Sequence, residues 1–394
     1  MKAYFKGLIL LCVSSLVACS PKGIQIGVVL PLSGQAAPRG EDMLNAAVLA
    51  VEERNQAGGI QGKQITLQFE DDRDDPEKAL LVADHLVKSK VLAVIGHYSS
   101  SATQMTLPTY AAADIALVSP AVALTHIPGE GQNFFRTLNA NYKQASEASR
   151  WIRKAGYQHV AVVHNPSIYG RDLAQQMLIE LRQPPLADVP RRITVFEDDG
   201  SASRLEGLQK DVPELVFYAG GYKSAAHFLN ALFALGIDVD WMGGRPLWEH
   251  DFARLLGSEQ AQHGWVVANA QTEDAEQFYT RYSQRFGRPG PFSYSTYLAL
   301  QNTFKGLEKA PKNMTRKQVR EALRQHFLKF KPPALSVFSL NDEDTFVPAE
   351  MSDPLAPQAG NTLGALLAKG LQPKIEMRPK ASLVPAKTPT AQAQ

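Results

Sequence analysis

The sequence predicts an α/β protein built as two doubly wound parallel-sheet lobes. Apolar stretches of four to eight residues alternate with helical patterns, the signature of parallel strands with helices on both faces. So many units exceed what one sheet holds comfortably. The chain has 394 residues, long for one hydrophobic core and comfortable for two. Hydrophobic residues make up 44% and charged residues 20%, a globular balance.

The elements follow in order. Ile24 to Leu30 is apolar and mostly β-branched, and Pro31 ends it. Met43, Ala46, Ala47, Ala50 and Val51 have helical spacing within 40–55, and Gly58-Gly59 supplies a C-cap. A strand is expected at 64–69. An acidic turn, Asp71-Asp72-Arg73-Asp74-Asp75, then leads to Pro76, which opens a helix through Val87. Strand 91–95, helix 101–113 and strand 116–118 come next. The alternation continues with helix 142–155, strand 159–163, helix 169–182, strands 191–196 and 214–218, and helix 222–235. No short-period repeat is present.

The two ends differ in texture from the rest. Lys2 and Lys6 precede an apolar run, Gly7 to Val17, too short for a stable transmembrane helix. It ends in Leu16-Val17-Ala18-Cys19, which reads as a lipobox whose cysteine takes a diacylglycerol; an ordinary signal peptide is the plainer reading. Residues 1–18 are then a signal peptide and 19–23 a tether. More than one acyl chain gives stable anchoring. Ser20 in the next position permits outer-membrane sorting if the host is Gram-negative. Cys12 leaves with the signal, so the mature chain keeps one cysteine, and neither an intramolecular disulfide nor a cysteine-based metal site is expected. Lys2 and Lys6 also leave, taking 41 basic residues to 39 against 39 acidic ones. That balance gives no reason to expect nucleic-acid binding. Residues 353–394 are rich in Pro, Ala, Gln and Lys. Those from 369 carry five basic residues, one acid and no aromatic, the composition of a disordered tail or a contact with anionic envelope polymer.

Several segments together resemble the leucine/isoleucine/valine-binding proteins of ABC importers. They are Leu30-Pro31-Leu32-Ser33-Gly34, Asn55-Gln56-Ala57-Gly58-Gly59-Ile60-Gln61-Gly62, Asp71-Asp72 before Asp75-Pro76, and Ile95-Gly96-His97. Ser99-Ser100-Ser101, Thr103-Gln104, Ser119-Pro120-Ala121, Tyr169-Gly170, Tyr218-Ala219-Gly220-Gly221-Tyr222 and Met242-Gly243 continue the match, which spans about Ile24 to Asp344. The resemblance implies the type I periplasmic-binding fold, with three crossing strands joining the lobes and ligand in the cleft between them. Lobe 1 is expected at 24–138 and 268–328, and lobe 2 at 139–267 and 329–350. Hinge closure on ligand follows.

The resemblance also implies site residues. Ser99 and Ser100 open a helix where free N–H groups and the dipole favour an anion, and Ser100 matches the serine that holds a ligand carboxylate; a plain N-cap is the simpler role. Ala121, Val122 and Ala123 match the second carboxylate-binding turn, with Ala123 in place of the usual threonine. Tyr169 and Tyr222 match residues that close over the ligand; packing between helix and loop is the bland alternative. Two departures concern charge. Arg245 follows Met242-Gly243, where the family's ammonium-binding glutamate stands. Arg39 occupies a first-lobe loop position where an aromatic lid is common. Guanidinium forks suit carboxylates, so the ligand is expected to carry an extra anionic group or to lack a free ammonium. The competing reading has Arg245 pointing away and pairing with Glu249 or Asp251. The family's first-lobe disulfide is absent, Ser99 and the turn near Asp74 standing in its place.

The leading expectation is a monomeric, lipid-anchored receptor that delivers a small carboxylate-bearing ligand to an ABC permease. The second is an envelope regulatory or assembly lipoprotein that keeps the fold without transport. An enzyme is the weakest reading: no nucleophile elbow, P-loop or His-Glu-x-x-His pattern occurs, no cofactor is expected, and the nine histidines lack metal-ligand spacing. His97 lies near the cleft loop with no acid partner evident from spacing, and reads as a structural loop histidine.

Overall fold

The computed structural model describes residues 23–184, 190–261 and 263–339. Strand β1 (Ile24–Leu30) is buried along nearly its whole length. Helix α1 (Ala37–Gln56) starts three residues before the expected span of 40–55, because Pro38 sits in the first turn, where its missing N–H is no loss. Gly40 lets that turn lie against the end of β1, since a Cβ there would come 2.0 Å from the Pro31 carbonyl oxygen. Strand β2 (Ile65–Asp71) absorbs Asp71, and α2 (Pro76–Lys88) follows with Asp75 capping its free amides. Next come β3 (Ala93–Ile95), α3 (Ser100–Ala112), β4 (Ala116–Ser119) and β5 (Phe134–Arg136). The five strands form a parallel sheet in the order β2-β1-β3-β4-β5.

The chain then crosses into the second lobe at 137–140. Helix α4 (Asn141–Ala155), β6 (His159–His164), α5 (Ile168–Leu181), β7 (Arg192–Glu197), α6 (Ala202–Lys210), β8 (Leu215–Ala219) and α7 (Tyr222–Ala234) alternate in turn. Strand β9 (Asp240–Gly243), a 3-10 turn at Arg245–Leu247, the short helices α8 (His250–Leu256) and α9 (Ser258–Ala261), and β10 (Gly264–Asn269) follow. The return crossing comes at 270–272. This lies past the expected boundary between 267 and 268, because the pairing of β10 with the last strand continues to Asn269. Helices α10 (Glu273–Phe286), α11 (Ser293–Leu307) and α12 (Arg316–Phe327) cover the first lobe, and β11 (Leu335–Ser339) returns to the second. The second sheet has the order β11-β10-β9-β8-β6-β7, with β11 antiparallel to β10 and the remaining pairs parallel.

Each sheet is covered on both faces, which explains why its strands read as continuous apolar runs rather than alternating ones. Ile26, Val28 and Leu30 pack toward α1 and α11, while Val29 packs with residues of α2 and α3. In the second lobe Ala161 and Val163 face α7 and α8, and Val160 and Val162 face α4 and α5. Each fully buried Val, Leu or Ile contributes about 1.5–3 kcal/mol, so the two cores hold the lobes rigid and leave the crossings as the places to bend.

The lobes touch across the cleft. The Asp172 carboxylate of α5 accepts from the Thr125 amide of the first lobe at 3.0 Å and its hydroxyl at 3.1 Å, and Asn141 of its own lobe braces it at 2.7 Å. Cys19, residues 340–350 of the expected second lobe and the 353–394 tail lie outside the described residues. Among the described residues no helix is long and apolar enough to cross a membrane.

Candidate ligand site between the lobes

A cavity of about 450 Å³ lies between the lobes. It sits beyond the carboxyl ends of β3, β4, β6, β8 and β9, where open parallel sheets place ligands because helix N-termini converge there. The first lobe supplies the start of α3, with Ser99, Ser100 and Ser101, and the turn after β4, with Ala121 and Ala123. The second lobe supplies Ser167, Ile168 and Tyr169 at the start of α5, Gly221 at the start of α7, and Arg245 with Pro246 after β9. Ser99 caps α3 by accepting from the Ala102 amide, and Ser167 caps α5 by accepting from the Gly170 amide at 2.9 Å. Ser100 is thereby left in the first turn, buried, with no hydrogen-bond partner for its hydroxyl among the described residues.

Arg245 is 2% exposed. Its amide donates to the Gln144 side-chain carbonyl at 3.0 Å, and one terminal nitrogen donates to the Asn269 side chain at 3.3 Å. Its Nε has no partner. Burial lowers its pKa to about 10, which still leaves it charged at neutral pH. The alternative pairing with Glu249 or Asp251 does not form, because Glu249 meets Arg39 and Asp251 meets Arg254. Gly244 makes room for this arrangement: a Cβ there would come 2.7 Å from the Tyr169 hydroxyl. That hydroxyl is itself buried without a well-aligned partner, although the Gln144 side chain lies near it.

Three expected site residues lie elsewhere. Arg39 belongs to the first turn of α1, not to a loop, and does not line the cavity. It bridges the lobes instead, with Nη2 2.7 Å from Glu249 Oε2 and Nη1 3.7 Å from Asp42 Oδ2. The Glu249 approach is that of two charges rather than an aligned hydrogen bond. Tyr222 stacks on this guanidinium, 4.7 Å from ring centroid to Cζ, which draws it off the cavity wall. Val122 is fully buried and its amide donates to the Ser119 hydroxyl at 3.1 Å, so it shapes the turn from behind.

Other motif residues hold the scaffold. Asp71 locks the loop after β1 by accepting from the Leu32 amide at 2.8 Å and the Ser33 hydroxyl at 2.6 Å. His97 does have an acid partner. Asp72 Oδ2 lies 2.7 Å from its Nδ1, the Tyr110 hydroxyl lies 3.2 Å from its Nε2, and the pair is fully buried away from the cavity. Twenty-five residues separate Asp72 from His97, so spacing alone hides the contact.

Sequence reasoning missed Tyr98, Phe292, Asn165 and Ser167 on the cavity wall and left Asp74 without a role. Tyr98 meets Phe292 edge to face at 5.5 Å, forming an apolar wall, and its burial pushes its hydroxyl pKa up to about 12. Ser167 stands before an apolar helical run, an N-cap signal visible in the sequence. Phe292 comes from the far end of the chain and gives no local signal. Asp74 faces Ser99, and burial raises its pKa. Among the described residues no group of three or more His, Cys, Asp or Glu is placed to hold a metal.

Residues 23–345 match the family described as periplasmic binding protein. The chain is 28% identical over 321 residues to the Leu/Ile/Val-binding protein of Citrobacter freundii, covering 78% of this chain and 85% of that one. It is 28% identical over 309 residues to the Leucine-specific-binding protein of Salmonella typhimurium, covering 76% and 82%. Its fold is similar to that of the branched-chain amino acid transporter substrate-binding protein of Streptococcus pneumoniae in complex with isoleucine, with a TM-score of 0.68, 23% identity and coverage of 77% and 88%. It is also similar to the fatty acid ABC transporter substrate-binding protein of Thermomonospora curvata, with a TM-score of 0.67, 17% identity and coverage of 80% and 88%. With two parallel-sheet lobes, an interlobe cavity and a family match across nearly all the described residues, the chain belongs to the periplasmic binding protein family and is a binding protein rather than an enzyme.

Proposed function

We propose that the chain is the solute receptor of an ABC importer, anchored to the cell envelope through Cys19, that closes its lobes on a small carboxylate-bearing ligand and presents it to a permease. The observation that carries the reading is the cavity itself. It lies between the two lobes and is lined by donors from each: the hydroxyl-bearing start of α3 on one side and the Arg245 guanidinium on the other. A ligand touching both walls favours the closed arrangement over an open one, and that differential affinity is the whole of the mechanism. The relatives named for leucine, isoleucine and valine support a small ligand with a carboxylate, and the permease follows from the transporters to which the similar structures belong.

The test is closure in solution. Small-angle scattering of the purified chain, recorded with and without a panel of amino acids and organic acids, is expected to show a smaller radius of gyration with at least one of them. The same compound raises the thermal midpoint. A panel that changes neither quantity contradicts the receptor reading and favours an envelope protein that keeps the fold without transport. Palmitate labelling of the full chain, lost on Cys19→Ser, tests the anchor.

A further inference from the structure

Inside the cavity, one guanidinium has no carboxylate partner among the described residues. Arg245 is 2% exposed, and among the described residues no carboxylate pairs with it. Its side-chain contact is a neutral amide at 3.3 Å, and its Nε is unpartnered. Three helices of 13, 14 and 13 residues, α3, α5 and α7, begin at the same cavity. Their N-termini add partial positive charge. The start of α7 has no side-chain cap, which leaves its first amides open. One carboxyl group lines the cavity among the described residues, that of Asp74; it faces Ser99 rather than Arg245, and burial raises its pKa. The other buried arginine near the cleft, Arg39, meets Glu249 and Asp42 and does not line the cavity.

Resting on the receptor reading above, we infer that the cleft binds a monoanionic organic acid lacking an ammonium group, and that Arg245 is the specificity-determining residue. A buried cation needs a counter-charge, and here the protein leaves that to the ligand. An α-amino acid is a zwitterion. Its ammonium would enter a closed space next to a guanidinium, and the charge of the site would stay positive. A monocarboxylate brings the site to neutrality. Its anionic group meets Arg245, and the neutral donors at Ser100 and the first amides of α3 take a further oxygen. The apolar body lies against Tyr98, Phe292 and Tyr169, which fits a branched aliphatic or aromatic skeleton. Discrimination comes from the repulsive element as much as from the attractive one.

The experiment is calorimetric titration of the purified full chain with five probes: leucine, isoleucine, 4-methylpentanoate, 4-methyl-2-oxopentanoate and benzoate. The wild type is expected to bind at least one of the three acids about tenfold or more tightly than either amino acid. Arg245→Met is expected to collapse that ratio, and Arg245→Lys to retain part of it, since charge survives and the fork does not. A merely structural arginine would alter stability and leave the ratio alone. If leucine binds the wild type as tightly as 4-methyl-2-oxopentanoate, the inference is wrong and the receptor reading stands. An amino-acid affinity that disappears in Asp74→Asn would overturn it in the same way, by giving the ammonium a partner. If all five probes are silent, the receptor reading and the inference fall together. Should Arg245→Met not fold, the wild-type ratio alone still decides.

Discussion

Two arginines are buried at the boundary between the lobes, and they are treated in opposite ways. Arg39 has a carboxylate on each side: Asp42 of its own helix and Glu249 of the other lobe, with the Tyr222 ring over its face. Arg245 has one neutral side chain and an unpartnered nitrogen. Burying a charge is costly unless it is paired. The chain meets that cost at the mouth of the cleft and leaves it unmet inside the cavity. Arg39 therefore bridges the lobes, and Arg245 lines the cavity, where we propose it meets the ligand.

The contrast can be broken at four points. The largest effect is expected at Arg245. Replacing it with Met removes the uncompensated charge, so affinity for the acid falls roughly a hundredfold, in line with losses of about 2–5 kcal/mol when one partner of a buried charge pair is removed. The ligand-free thermal midpoint, read by calorimetry, stays level or rises. The next effect is at Glu249. Glu249→Gln leaves Arg39 without its cross-lobe partner, and the closed form weakens. A tenfold loss in ligand affinity, about 1.4 kcal/mol, is expected, with a larger radius of gyration for the bound protein. The double variant Arg39→Met, Glu249→Met recovers part of that loss, because no lone charge remains.

The third point is titration. Burial raises the Asp42 carboxyl from 3.8 to about 7, with Arg39 opposing and Glu249, Glu41 and Asp251 reinforcing the shift. Glu249 is raised for the same first reason. A carboxyl raised in the folded state holds a proton that the unfolded chain has released, so it favours folding below 3.8, and that contribution is lost as pH climbs through about 7. The thermal midpoint is expected to fall between about pH 4 and pH 7, and to fall less in Asp42→Asn. The smallest effect is at Ser100. Ser100→Ala removes one neutral donor, and affinity drops by a few-fold, about 0.5–1.5 kcal/mol. A Ser100→Ala loss larger than that of Arg245→Met would reverse the order of the two walls.

The scaffold was legible because both sheets are buried on both faces. That makes strands such as Ile24–Leu30 and Leu215–Ala219 nearly all apolar, and Gly and Pro mark their ends. The pattern was followed only as far as 222–235, so the helices α10, α11 and α12 were left unassigned, and within the stretch that was read the gaps were short or distant. Strand β5 has three residues, too few for a pattern. The Asp72–His97 contact and the Phe292 wall depend on the folded path of the chain, which no local spacing reports. The site divides in the same way. Ser99, Ser100, Ala121, Ala123, Tyr169 and Arg245 were named from motif positions and do line the cavity. Arg39 and Tyr222 were named on the same grounds, yet they meet each other. The reason is Glu249, 210 positions along the chain from Arg39, whose charge draws the guanidinium across the cleft mouth and out of the cavity.

The central claim is that the cavity waits for an anion without an ammonium. It is tested most directly by purifying the protein from its own cells, denaturing it, and identifying the released small molecule by mass spectrometry. The account predicts an organic acid with no primary amine, recovered in near-stoichiometric amount and lost from Arg245→Met. Recovery of leucine, isoleucine or valine would contradict it.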